Sequence, residues 1–164
     1  FADHLIDNEM RTERYGDGDL KPRVRHGEIQ PHELHRLREL MQQALDDETL
    51  FKEWFGTMIS EAKHDLDVSP MEPDYSAEEV ADLLTQGEPA IKVPGLRSVW
   101  FSGESRSCYI DGEAWTLPSD DAAAISLLCD KDIITQADMV DLADQAGFLQ
   151  LLTRLVNRGY WFFG

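Results

Sequence analysis

Two broad apolar stripes, separated by three acidic residues, constrain this chain more than any other feature. Leu34, Leu37, Leu40, Met41, Ala44 and Leu45 recur at the three-and-four spacing of one helical face. Pro31 suits the first turn of that helix, where an amide hydrogen has no partner to lose. Asp46-Asp47-Glu48 interrupts the pattern and supplies the acidic groups that favour a new helix start. A second stripe follows, formed by Phe51, Trp54, Phe55, Met58, Ile59, Ala62 and Leu66. So short a connection predicts an antiparallel helical hairpin. Such a hairpin is too small to cover both stripes, and each large apolar side chain left in water forgoes roughly 1.5–3 kcal/mol. The surplus surface is therefore expected to meet a second copy of the chain, or to pack on an N-terminal helix or the C-terminal domain; these outcomes are compatible. The residues assigned to a homodimer interface are Leu34, Leu37, Leu40, Met41, Phe51, Trp54, Phe55 and Met58.

Upstream of the hairpin, residues 1–15 read as a helix, and Tyr15 to Gln30 as an extended linker broken by Gly16, Gly18 and Pro22. The linker carries the one basic cluster, Lys21, Arg23 and Arg25. The opening Phe1-Ala2-Asp3-His4-Leu5-Ile6 lacks a starting Met and reads as the middle of a helix, as expected of a piece of a longer protein. Downstream, Ser69-Pro70-Met71-Glu72-Pro73 marks a boundary. Ser76-Ala77-Glu78-Glu79 is a capping box opening a helix through Val80, Leu83 and Leu84 that stops at Gly87. Ala90-Ile91-Lys92-Val93 reads as a strand leading into a Pro94-Gly95 turn, and Arg97 to Ser102 as another strand. Ser107 to Ile110 and Glu113 to Leu117 flank Asp111-Gly112, the signature of a two-residue hairpin. Three helices are expected next, one capped by Ser119, one capped by Thr135 with Met139, Val140, Leu142 and Ala143, and one over 147–157; a strand Tyr160 to Phe163 ends the chain. The fold class is α+β: an N-terminal helical dimerisation hairpin followed by a small winged-helix-like domain with antiparallel strands.

Charge narrows the partners. Fifteen Lys and Arg stand against 32 Asp and Glu, a formal net charge of −17. Eight acidic residues and no basic one lie between Asp65 and Glu88. Solubility is one reading of such acidity, and a repulsive wall that steers a basic partner towards another surface is the sharper one; composition alone does not choose between them. A DNA-reading helix would have to use Gln150, Arg154, Asn157 and Arg158, behind a segment carrying Asp138, Asp141 and Asp144. From Asp74 to Gly164 there are 15 acids and six bases, so nucleic acid is not expected as a partner. No run approaches the roughly 18 apolar residues of a membrane span. Cys108 and Cys129 lack metal-type spacing and fit reduced thiols of a cytoplasmic protein, a disulfide between them being the lesser alternative.

No catalytic constellation emerges. His26-Gly27-Glu28 with His64 imitates a His-x-acid…His iron triad, but the first lies in a linker and the last at a helix end. His32 and His35 read as solvent-exposed. There is no Gly-x-Ser-x-Gly elbow and no clustered phosphate-binding glycines. Trp100, Trp115 and Trp161 on strands read as core. No catalytic, cofactor-binding or metal-binding residue is assigned to this chain.

Phe51-Lys52-x-Trp54-Phe55-Gly56-x-x-Ile59-Ser60 and His64-x-Leu66-Asp67 closely resemble the segment after the catalytic barrel in bacterial JmjC-type, cupin-like ribosomal oxygenases. Phe1-Ala2-Asp3, Gln86-Gly87-Glu88, Gly95-Leu96-Arg97 and the ending Leu155-Val156-Asn157-x-Gly159-Tyr160-Trp161-Phe162-Phe163 fit the same family in order. The resemblance implies about the last two-fifths of an Fe(II)- and 2-oxoglutarate-dependent hydroxylase acting on an arginine of a basic ribosomal protein. It implies residues 1–27 as a remnant helix and linker from an upstream catalytic domain, 28–73 as a helical dimerisation region and 74–164 as the winged-helix-like domain. Iron and 2-oxoglutarate would belong to the upstream barrel, so this part would not itself be an enzyme. A stand-alone acidic protein-interaction domain is the alternative, and a DNA-binding regulator comes last. The hairpin here precedes the three helices, which departs from the usual winged-helix order.

Overall fold

A computed structural model describes Gly27, residues 29–64, Leu66 and residues 68–164. The expected helix over 1–15, the basic cluster and His26 lie outside the described residues. Those described form two compact units, one ending at Trp54 and one running from Phe55 to Gly164.

Helix α1 spans Pro31–Asp46, with Pro31 in its first turn as expected. Its start is held by the Glu33 carboxylate, which accepts from the Gln30 amide at 2.7 Å. That role accounts for a Glu only 7% exposed. Asp47 separates α1 from α2, Glu48–Ser60. Its carboxylate accepts from the Leu50 amide at 3.1 Å, so the acidic break caps the second helix as anticipated.

Helix α2 stops earlier than the stripe through Leu66 suggested. The Ala62 amide turns to the Asp111 carboxylate at 3.2 Å instead of a helical carbonyl. The Ser60 hydroxyl donates to Thr57 O at 3.2 Å and accepts from the Gly112 amide at 3.0 Å. Contacts to a distant turn thus replace the next helical turn, and Leu66 packs instead against the core of the second unit.

Helix α3, Ala77–Thr85, opens on the expected capping box: Ser76 Oγ accepts from the Glu79 amide at 3.2 Å, and Glu79 accepts from the Ser76 amide at 2.8 Å. It ends at Gly87, φ +92°, where the Glu88 amide donates to Leu83 O and the Gly87 amide to Leu84 O. Strand β1, Ala90–Lys92, is the centre of one antiparallel sheet, between β5 (Ile133–Ile134) and β6 (Trp161–Phe163). Its register pairs Ala90 with Ile134 and Phe163, and Lys92 with Trp161. The other antiparallel sheet is β2 (Ser98–Val99), β3 (Ser107–Ile110) and β4 (Glu113–Thr116). The β3–β4 hairpin forms as expected, with Asp111 and Gly112 both at positive φ, +49° and +77°. Strand β2 is shorter than the Arg97–Ser102 run, because Phe101 leaves the ladder to pack on Phe55 and Tyr109, ring centroids 6.4 and 5.9 Å away.

Helix α4, Ala122–Asp130, is capped by Asp121, not by Ser119. Asp121 Oδ1 accepts from the Ala124 amide at 3.1 Å, while its Oδ2 accepts from the Ala143 amide at 2.9 Å. Ser119 bonds the Asp144 carboxylate instead. The helix expected after Thr135 is only a 3₁₀ turn, Gln136–Met139. Thr135 does cap it, but the Ala143 and Asp144 amides are taken by Asp121, so no further turn propagates. Helix α5, Gln145–Asn157, begins two residues before the expected start. It closes at Gly159, φ +87°, with Tyr160 N–H on Leu155 O and Gly159 N–H on Val156 O. One core joins α3, α4, α5 and both sheets, and Trp115 and Trp161 lie inside it at 7% and 0% exposure.

Candidate interaction surfaces

The first unit presents an apolar face to solvent. Leu34, Leu37, Met41 and Leu45 are 58%, 49%, 57% and 45% exposed, at the spacing that puts all four on one side of α1. Leu40 is half-buried, while Ala44 and Leu50 are buried. On α2, Phe51 is exposed and Trp54 half-buried, their rings 5.5 Å apart. Further along α2, Met58 is exposed, and Phe55 is half-buried beside Phe101. Of the eight residues assigned to an interface, Leu34, Leu37, Met41, Phe51 and Met58 are therefore the most exposed. Leu45 belongs with them; the stripe contained it, but periodicity alone does not tell which members stay uncovered.

The position of a groove-reading helix is taken by α5, whose Phe148, Leu151, Leu152, Leu155 and Val156 are committed to the core. Its cations are engaged by neighbours. The Arg154 guanidinium lies 5.0 Å over the Trp115 ring, and Arg158 pairs with Glu113 at 2.8 Å. The Asp138 carboxylate is held down at about 2 by the Lys131 ammonium and then by the amide and hydroxyl of Thr135. Asp144 is lowered by the Ser119 hydroxyl and then the Gly147 amide. A shallow cleft of about 340 Å³ runs between α4 and the segment after the 3₁₀ turn, with Leu127 and Leu142 as its apolar wall and Asp130, Asp138 and Asp141 as its acidic lining. Val140, expected on an apolar helix face, is 66% exposed because the turn ends at Met139.

His32, His35 and His64 are all exposed and do not converge. His35 Nε2 lies 3.2 Å from Glu39 one turn on. Among the described residues no three His, Cys, Asp or Glu side chains are grouped to hold a metal. No described helix is long and apolar enough to cross a membrane.

Residues 39–162 match the family model described as the ROXA-like winged helix. The chain belongs to that family. The ROXA-like assignment settles the architecture despite the unusual position of the hairpin. The chain is 35% identical over 163 residues to ribosomal protein uL16 3-hydroxylase of Escherichia coli K12, covering 99% of this chain and 42% of that protein. Among solved structures it is similar to the E. coli ribosomal oxygenase YcfD, with TM-score 0.79 and 35% identity over 99% of this chain and 44% of the other. A structure of YcfD in complex with cobalt and 2-oxoglutarate matches at TM-score 0.78 and 36% identity, over the same shares. This ROXA-like chain thus spans about two-fifths of the length of the relatives it matches.

Proposed function

We propose that this chain is the non-catalytic C-terminal part of an Fe(II)- and 2-oxoglutarate-dependent ribosomal protein hydroxylase of the bacterial cytoplasm. Residues 28–73 would mediate homodimerisation and residues 74–164 would help present a basic client. The likeness over 99% of the chain to part of a uL16 hydroxylase carries this reading. The exposed face of α1 supports self-association, since four large apolar side chains on one side of a helix lose free energy to water until a partner covers them. By likeness to YcfD, solved with cobalt and 2-oxoglutarate, iron and 2-oxoglutarate would belong to the parent's catalytic domain; among the described residues no three His, Cys, Asp or Glu side chains are grouped to hold a metal. Acidity, with Asp130 and Asp141 lining an apolar-walled cleft, favours an Arg- or Lys-rich protein over nucleic acid. The engagement of Arg154 by Trp115 and of Arg158 by Glu113 points the same way.

Light scattering after gel filtration, over a range of concentrations, tests the assembly. A dimer is expected, falling to a monomer when Leu37 and Met41 are both replaced by Asp. A wild-type chain that stays monomeric throughout removes self-association from the proposal.

A further inference from the structure

Building on the proposed reading that this chain presents a basic client, we infer that an apolar groove beside the acidic cleft takes one aliphatic side chain of that client. Recognition then requires an apolar residue and a basic one at a fixed spacing. The groove lies between α3, the 3₁₀ turn and the start of α5, with Leu84, Met139, Val140 and Leu149 among its walls. No charged side chain lines it, in a chain whose residues are 29% charged. Leu84 and Met139 are buried there, whereas Val140 is 66% exposed and open to a partner.

Hydrogen bonds brace the groove on two sides. The Thr85 hydroxyl donates to Ala81 O at 2.8 Å, and the Gln136 amide donates to that hydroxyl at 3.5 Å, tying the turn to α3. The Gln145 amide donates to Val140 O at 3.2 Å, tying the exit of the turn to α5. The opening is thus formed before anything binds, so an entering side chain has little to order. At about 240 Å³ it is smaller than the roughly 300–1,000 Å³ of small-molecule sites, which suits one side chain of a protein partner.

The segment 138–142 forms a ridge between this groove and the acidic cleft. Met139 and Val140 line the groove, while Asp138, Asp141 and Leu142 line the cleft with Asp130. The cleft's Lys131 is paired with Asp138, so Asp130 and Asp141 leave it acidic. Charge decides the occupant. A second copy, with its net charge of −17, would set carboxylates against Asp130 and Asp141, whereas an Arg or Lys beside the apolar anchor is attracted. A single helical turn with its side chains is roughly 10 Å across. In an extended polyproline-like segment, residues three apart lie on one side and about 9 Å from each other. One aliphatic residue in the groove and one basic residue in the cleft therefore match a spacing of three.

The 164-residue chain is titrated by fluorescence anisotropy with two Arg-rich peptides. One carries Leu three residues before an Arg, and the other carries Ser in its place. The Leu peptide should bind about tenfold more tightly. That ratio should hold between about 0.05 and 0.5 M salt while both peptides weaken. Moving the Leu next to the Arg should remove the advantage. Val140→Asn, at an exposed position, should remove it too and leave the affinity of the Ser peptide unchanged. Asp141→Asn should weaken both peptides a few-fold and keep their ratio. Equal binding of the Leu and Ser peptides to the wild type overturns the groove while the basic-client reading survives; no binding of either peptide overturns both. A Leu advantage that survives Val140→Asn but disappears in Leu37→Asp also overturns the groove, because the apolar residue then sits on α1.

Discussion

At Gly56 the backbone of α2 comes so close to the Tyr109 ring that a Cβ there would lie 2.5 Å from Cδ2 and Cε2. Two effects compete in Gly56→Ala. Ala favours a helix by up to about 1 kcal/mol, whereas the ring, 7% exposed and packed on Phe101, has no room to retreat. Overpacking should win, lowering stability by roughly 1–3 kcal/mol in thermal or urea denaturation. Asp138 makes a different kind of prediction. Its folded pKa, about 2, lies below the ordinary 3.8 because Lys131 and Thr135 bind the carboxylate. A depressed carboxylate stabilises the fold above its unfolded pKa and loses that contribution as pH falls. Stability should thus decline between about pH 4 and pH 2, by roughly 1 kcal/mol from this group once solvent screening is counted. Asp138→Asn should be less stable at pH 7 and show a shallower acid decline in urea titrations at stepped pH. Lys92 marks where single residues stop being readable. In sequence it is an ordinary strand lysine, yet its head is buried among Ser98, Cys129 O and the Trp161 ring, partners from three different elements.

Among elements, those whose ends are decided locally were legible. The Ser76 capping box, the Gly87 and Gly159 stops and the Asp111-Gly112 turn depend on residues within a few positions, and all four form. Elements decided from afar were not. The end of α2 is taken over by Asp111 and Gly112, some fifty residues on. The two-residue β5 exists only because β1 offers it a ladder, and two isoleucines carry no period. The segment after Thr135 has a helical pattern that Asp121 overrides by capturing its last amides. Asp121→Ala should therefore cost more than an ordinary cap, about 2–3 kcal/mol, since it frees the starts of α4 and the turn before α5 together. Asp121→Ser should recover only the α4 share, because one short hydroxyl does not reach both sets of amides. Chemical denaturation of the two variants, with amide exchange at Ala124 and Ala143, separates the two shares. If both substitutions cost the same, the double role is wrong. The candidate interface lies between these cases. Periodicity found the stripe, but it gave no means of separating exposed Leu34, Leu37 and Met41 from half-buried Leu40, Trp54 and Phe55, because covering them depends on non-local packing.

For the whole molecule, the decisive quantities are a net charge of −17 and, among the described residues, the exposed apolar face of α1. The two features answer different questions. Apolar burial depends little on ionic strength, whereas attraction between exposed charges fades once the Debye length shrinks to about 10 Å at 0.1 M salt. Under the proposed reading, self-association should persist at high salt while capture of a basic client does not. An Arg-rich peptide titrated by fluorescence anisotropy should bind roughly tenfold more weakly at 0.5 M than at 0.05 M salt, mostly through a slower association rate. Replacing Asp130 and Asp141 by Asn should weaken it a few-fold further if the cleft beside α4 is where the client's side chains settle. A peptide of the same length with its arginines replaced by glutamine should not bind, and duplex DNA should not be retained at any salt. Salt-insensitive peptide binding would move the client to the apolar face of α1 and make dimerisation and capture competitors, which light scattering in the presence of peptide would reveal as dissociation. Binding of DNA with a steep salt slope would instead revive α5 as a groove-reading helix, against the engagement of Arg154 and Arg158 within the fold.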